Sequence, residues 1–217
     1  THTSFINLQA GTNYFAYIRA NCSATESSVW SSHSQVLTDY GIPFLETFDE
    51  MEQFPQDDWK VFAATVPEND DFTTAAFQKS ESSSQMSIAN CDSRMSDVSG
   101  KAARVECYSS SSNGFLQSPS IDLTSIPTGY GVNLSFRVGM VPNSNYDPAL
   151  STFTERLFRV YVSEDGGETF KADSKIEWNC TGTGDYDYAQ IATSEAPMVN
   201  VDLSDYAGKN IALGFYV

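Results

Sequence analysis

Residues Arg156–Val162 read Arg-Leu-Phe-Arg-Val-Tyr-Val and run directly into Ser163-Glu164-Asp165-Gly166-Gly167-Glu168-Thr169-Phe170. A short run of branched and aromatic residues that ends in Asp-Gly-Gly is a strand followed by a tight turn. Working outward, the same texture recurs in Ile211–Val217 (IALGFYV), Val132–Val138 (VNLSFRV) and Asn13–Ala20 (NYFAYIRA). Clusters of Gly, Pro, Asn, Asp and Ser separate these runs, as in Ser109–Gly114 (SSSSNG). No stretch of ten or more residues places apolar side chains at i, i+3, i+4 and i+7, so helices are not expected. The pattern predicts an all-β protein, a sandwich or barrel.

Composition narrows the function classes. The 217 residues are 41% hydrophobic and 13% aromatic, enough for a sizeable core. Acids outnumber bases 28 to 12, a formal net charge of −16. Such a chain repels phosphate backbones and anionic membrane surfaces, which argues against nucleic-acid partners and membrane docking. It suits a cation-rich exterior and leaves carboxylates free for Ca²⁺. No apolar run approaches the roughly 18 residues of a spanning helix. His2 and His33 are the two histidines, so residues 34–217 hold no His-based triad or His-ligated zinc. The cysteines Cys22, Cys91, Cys107 and Cys180 form no Cys-x-x-Cys pair. Cys91 and Cys107 joined as a disulfide is one reading; four thiols acting as small hydrophobes is the other.

A boundary is expected at Asp39-Tyr40-Gly41-Ile42, a turn-forming linker. Residues 1–38 before it carry Leu8-Gln9-Ala10-Gly11-Thr12-Asn13-Tyr14, the alternating Phe15–Ala20, Trp30-Ser31 and Val36-Leu37-Thr38. This resembles the last strands of a fibronectin type III domain, with Tyr14 in the tyrosine corner, its phenol bonded to upstream backbone. The resemblance implies that the domain's first strands lie outside the sequence given.

Residues 43–217 open with Pro43-Phe44-Leu45-Glu46-Thr47-Phe48-Asp49, then Phe54-Pro55 and Trp59. Further on come Phe115-Leu116-Gln117-Ser118-Pro119-Ser120-Ile121-Asp122-Leu123, Leu134-Ser135-Phe136, Val160–Phe170 and Val201-Asp202-Leu203-Ser204-Asp205-Tyr206-Ala207-Gly208-Lys209. In that order they resemble the jelly-roll modules called cleaved-adhesin or choice-of-anchor domains. Those are relatives of the MAM domain, found on secreted proteins of Bacteroidetes-type bacteria. The resemblance implies a jelly-roll sandwich that lacks its last strand here, within a longer secreted or cell-surface polypeptide. It also implies a core position for Trp59 and, in related modules, a structural Ca²⁺ near the first strand.

Candidate sites follow from residue chemistry. Ca²⁺ takes about six to eight oxygens, commonly from acidic loops; Glu46 and Asp49 at the module entrance and Asp70 and Asp71 in Glu68-Asn69-Asp70-Asp71 are candidate ligands. Sugar binding needs exposed aromatic platforms beside hydrogen-bonding groups. Trp178, Tyr186 and Tyr188 are the candidates, with Tyr146 in a Pro/Asn-rich loop. If Gly184–Tyr188 is extended, both of its tyrosines share a face. Ser163–Phe170 also fits an Asp-box hairpin, and the simpler reading is a turn capped by Asp165 with glycines at positive φ. No Glu-x-Asp-x-x-Glu array of sandwich glycosidases occurs at Glu46–Glu50.

The sequence therefore points to a non-catalytic extracellular adhesion or binding module. Its expected partners are a glycan or an extracellular protein, together with neighbouring domains of its own polypeptide. The alternatives are an architectural spacer that positions a catalytic domain elsewhere, and a glycoside-active enzyme.

Overall fold

The computed structural model describes residues 8–9, 11–21, 23, 26–54, 58–63, 65–79, 86–105, 113–141 and 156–217. The protein is all-β and sandwich-like, as the alternating runs predict. Its strands are β1 (Asn13–Ala16), β2 (Ser34–Leu37), β3 (Lys60–Ala63), β4 (Phe72–Thr73), β5 (Gln78–Lys79), β6 (Met86–Asn90), β7 (Lys101–Val105) and β8 (Phe115–Gln117). They continue with β9 (Ile121–Asp122), β10 (Asn133–Arg137), β11 (Leu157–Ser163), β12 (Thr169–Phe170), β13 (Ile176–Asn179), β14 (Tyr186–Asp187), β15 (Met198–Asp202) and β16 (Asn210–Tyr216). Among the described residues no helix is long and apolar enough to cross a membrane.

The main sheet runs β14-β13-β11-β16-β8-β3-β5, with β9 also paired to β16. Three ribbons accompany it: β10 with β15, β6 with β7, and β4 with β12. Strand alternation gives the sheet two different faces. On one face Phe158, Val160 and Val162 of β11, Trp178 of β13 and Leu213 of β16 pack against Leu134, Phe136, Val199 and Val201 of the β10–β15 ribbon. Further along, Val61 of β3 and Leu116 of β8 meet Met86, Ile88, Ala103 and Val105 of the β6–β7 ribbon, joined by Trp59. The expected core position of Trp59 is thus observed.

The opposite face is also covered. Phe62, Phe115, Tyr161 and Tyr216 pack with Phe72 of β4 and Phe170 of β12. Phe72 and Phe170 are stacked at 5.5 Å, and Phe170 meets Phe115 edge-on at 5.0 Å. Such pairs contribute about 0.5–1.5 kcal/mol beyond the area they bury. Along the same row the register places Arg159 beside Tyr216 and Glu177 beside Arg159. The central strands are therefore buried on both faces, with a polar cluster built into one of them.

The turn after β11 closes as its sequence predicts. The Asp165 carboxylate accepts from the Ser163 hydroxyl (2.6 Å) and from the amides of Glu168 (3.1 Å) and Thr169 (2.8 Å). Gly166 and Gly167 have φ of 72° and 92°. Partial burial acts to raise the Asp165 pKa, but the Ser163 and Thr169 hydrogen bonds outweigh it and hold the carboxyl below its ordinary value. After the turn, Phe170 enters the core through β12, which pairs with β4.

β1 and β2 form a separate antiparallel ribbon in which the Gln9 amide donates to the Tyr14 hydroxyl at 2.9 Å, the upstream backbone bond expected of Tyr14. Within residues 39–42, read as linker, Asp39 and Tyr40 are hydrogen-bonded to the main assembly. Tyr40 N donates to Ser120 O (2.9 Å), and Asp122 N donates to Tyr40 O (2.6 Å).

Candidate functional site

Trp178, Tyr186 and the chain between them form the most developed surface feature of the sheet edge. β13 ends at Asn179, the chain loops out, and β14 returns parallel to β13 with Tyr186 opposite Trp178. The two rings stack with centroids 5.0 Å apart and planes 20° from parallel. Trp178 is only 2% exposed and Tyr186 is 43% exposed. One face of Tyr186 thus rests on the core while the residue remains open to solvent.

Asn179 shapes the intervening loop. Its Oδ1 accepts from the Thr181 and Gly182 amides at 3.2 and 3.1 Å, and its Nδ2 donates to Glu177 Oε1 (2.5 Å) and Thr183 Oγ1 (3.1 Å). Gly182 sits at φ 74°, a conformation that glycine adopts without steric cost. A Cβ on Gly184 would lie 2.8 Å from the Glu177 carbonyl oxygen, so only glycine lets the loop close this tightly. Asp185 Oδ2 accepts from the Glu177 amide at 2.8 Å, and Asp187 Oδ1 caps the following 3-10 turn through the Ala189 amide at 2.9 Å. The loop borders an open groove of about 350 Å³, edged by Cys180, Thr181, Asp185, Tyr186 and Asp187. Desolvation pushes the Cys180 thiol pKa above its ordinary value.

The loop stands on the buried polar cluster. The Arg159 guanidinium donates through Nε to Glu177 Oε2 and through Nη1 to the Tyr161 hydroxyl at 3.4 Å. Glu68 lies 4.0 Å from Arg159 Nη2. Burial alone would raise the Glu177 pKa, but the hydrogen bonds from Arg159 and Asn179 outweigh it and hold the carboxyl below its ordinary value. Burial likewise disfavours the Arg159 charge and is outweighed by Glu177. The pair bridges β11 to β13, the strand from which the loop springs.

Two expectations for the aromatic platform are corrected. Trp178 is a core residue packed on Phe158 and Phe136, because the inward face of β13 carries it into the sandwich. Tyr188 is 3% exposed, with its hydroxyl 3.1 Å from Met140 Sδ. Extended structure ends at Asp187 and a 3-10 turn starts at Tyr188, and the two tyrosines end in different environments, Tyr186 exposed and Tyr188 buried. Tyr146 lies outside the described residues. Tyr186 alone of the described candidates is exposed. The loop residues Thr181, Thr183 and Asp185 join Tyr186 at the groove, and the one local signal for them in the sequence is the turn signal Asn-Cys-Thr-Gly-Thr-Gly.

Three of the four carboxylates expected to hold a metal have other partners. Glu46 accepts from the Phe48 amide (2.6 Å) and from Trp59 Nε1 (3.2 Å), which seats the indole. Asp49 Oδ1 accepts from the Lys101 amide at 2.8 Å. Asp71 pairs with Lys171 Nζ at 2.7 Å and accepts from the Ala172 amide, and these bonds lower its pKa. Asp70 is exposed. Among the described residues no three His, Cys, Asp or Glu side chains converge to hold a metal ion. Cys91 has no disulfide partner among the described residues, and Cys107, its partner in the disulfide reading, lies outside them.

Comparison with known proteins returns no matching family model, no matching curated protein and no matching solved structure.

Proposed function

We propose that the chain is a non-catalytic extracellular binding module that takes carbohydrate on Tyr186 at the groove edged by Thr181–Asp187. The observation that carries this reading is the stacked pair: an exposed phenol held flat on a buried indole beside a groove of hydroxyls and carboxylates. Sugars present apolar C–H faces to aromatic rings and hydroxyls to planar polar groups, and both chemistries meet here. Pre-positioning by Trp178 and Asn179 lowers the ordering cost of binding. The groove's two carboxylates are each bonded to a backbone amide, which favours a structural and contacting part over acid–base work. The high negative charge fits a secreted or cell-surface setting and disfavours nucleic acid.

The test is a glycan array with the whole chain and with Tyr186→Ala. Binding to a defined glycan set that is lost in Tyr186→Ala, with unfolding little changed, supports the reading. An empty array for the wild type overturns it. An architectural spacer is the second reading, favoured by the hydrogen bonds of Tyr40 that tie residues 39–42 to the sheet edge.

A further inference from the structure

The Tyr186 surface depends on where one very short strand lies. β14 is only Tyr186–Asp187, paired in parallel with Trp178 and Asn179 of β13. Parallel neighbours are usually joined by about a dozen residues or more, yet here β13 ends at Asn179 and β14 begins at Tyr186. So short a pairing does not fix its own register. A slip of one residue would set an aspartate opposite Trp178 and turn the phenol to the other face. A slip of two is disguised by the sequence, because Asp185-Tyr186 is repeated at once as Asp187-Tyr188. It would set Tyr188 on Trp178 with every face preserved, at the cost of drawing Tyr188, 3% exposed, out of the core.

We infer that Gly184 and Asp185 are positioning residues that lock this register, and so decide that Tyr186 is the ring presented to a ligand. Asp185 acts by attraction: its Oδ2 accepts from the Glu177 amide at 2.8 Å, one residue before Trp178 meets Tyr186. The carboxylate stands where the carbonyl of a longer neighbouring strand would stand. Gly184 acts by exclusion. A Cβ there would lie 2.8 Å from the Glu177 carbonyl oxygen and 2.9 Å from Asn179 Nδ2. In the slipped register Tyr186 would take the place of Gly184, and its side chain has no room there. Asp187, the counterpart of Asp185 in the repeat, has a different partner: its Oδ1 accepts from the Ala189 amide at 2.9 Å and starts the turn that carries Tyr188 inward. One aspartate thus holds β14 to β13, and the other ends it. The inference deepens the carbohydrate reading and rests on it for what the ring is presented to, not for how the ring is held.

The experiment is NMR on the whole chain, reading the Trp178 indole N–H resonance, which the Tyr186 ring current shifts, and amide exchange at Glu177. Wild type, Asp185→Asn, Asp185→Ala and Gly184→Ala are compared, with Tyr186→Ala giving the unstacked position of the resonance. Asp185→Ala and Gly184→Ala should move Trp178 toward that position and speed exchange at Glu177 at least about tenfold, the effect of losing a bond to a charged acceptor. Asp185→Asn should keep both close to wild type, because its amide oxygen still accepts from Glu177. Exchange in β11 and β16 should stay unchanged throughout, which separates positioning from a general loss of stability. On a glycan array, Asp185→Asn should bind as wild type does, and Asp185→Ala at least about tenfold more weakly. An unmoved Trp178 resonance in Asp185→Ala overturns the inference. So does an Asp185→Asn variant that fails as Asp185→Ala does, since the effect would then belong to the negative charge. An empty array beside the expected NMR changes supports the register lock and removes the carbohydrate reading alone.

Discussion

Tyr186 lies against Trp178 with ring centroids 5.0 Å apart, the one 43% exposed and the other 2%. The two residues therefore divide a single aromatic feature into a surface half and a core half. Tyr186→Ala removes the surface half: it should cost about 0.5–1.5 kcal/mol in lost stacking and abolish glycan binding. Trp178→Ala opens the sandwich beneath it and should cost about 3–5 kcal/mol. Chemical denaturation of both variants, run beside the glycan assay, checks the split. Equal destabilisation by the two would mean that Tyr186 is core as well.

Asn179 makes four hydrogen bonds, two to loop amides and two through its own Nδ2. Asn179→Ala should cost about 2–4 kcal/mol, at roughly 1 kcal/mol for each bond lost. Its larger effect is on the groove, since Thr181–Gly184 lose their template. Hydrogen exchange should show faster exchange at Thr181 and Gly182 while β11 and β16 remain protected. Unchanged exchange there would remove Asn179 from its organising part.

The buried Arg159–Glu177 pair predicts a dependence on acid. Glu177 has a depressed pKa in the folded protein, so its contribution is fully present above the unfolded carboxyl range near about 4.3 and is lost as pH falls through the folded value. The difference in stability between wild type and Glu177→Gln should therefore shrink as pH drops from 6 toward about 2–3. Removing one partner leaves the other charge buried, so Glu177→Gln or Arg159→Met alone should cost about 3–5 kcal/mol at neutral pH. The double variant Arg159→Met/Glu177→Leu should recover much of that. Urea unfolding across pH reads each outcome.

How much of this was legible in the sequence depends on what each residue signals locally. The alternating runs gave the all-β class, and Asp165-Gly166-Gly167 gave its turn, because both are written in neighbouring residues. Trp178 was misread because a sequence does not say which face of a strand meets the core. Here β11 and β13 are covered on both faces, so Arg159, Glu177 and Asn179 are buried where alternation implies solvent. Tyr188 is buried because the strand gives way to a 3-10 turn after Asp187, which the alternation of Asp and Tyr does not signal.

Gly214 shows the same limit from the other side, and it carries the last prediction. Within Ile211–Val217 it reads as an ordinary weak point of a strand, since glycine has no side chain to pack. In the fold it lies at the centre of the doubly covered sheet, opposite Tyr161 on β11 and Gln117 on β8. A Cβ there would stand 2.2 Å from the Phe115 ring and 3.0 Å from Phe170, both fully buried. The missing side chain is the space that the aromatic cluster occupies. Alanine is normally the better strand residue on backbone entropy, so the two effects oppose each other in sign. The clash is the larger, because Phe115 is held by Phe62, Phe72 and Phe170 and has nowhere to move. Gly214→Ala should therefore destabilise the fold by about 1–3 kcal/mol. Pairing it with Phe115→Leu, which removes the obstructing ring atoms, should cost less than the two single changes added together. A double-mutant cycle by urea denaturation measures that coupling, and strict additivity would show that Gly214 is not the space that Phe115 fills.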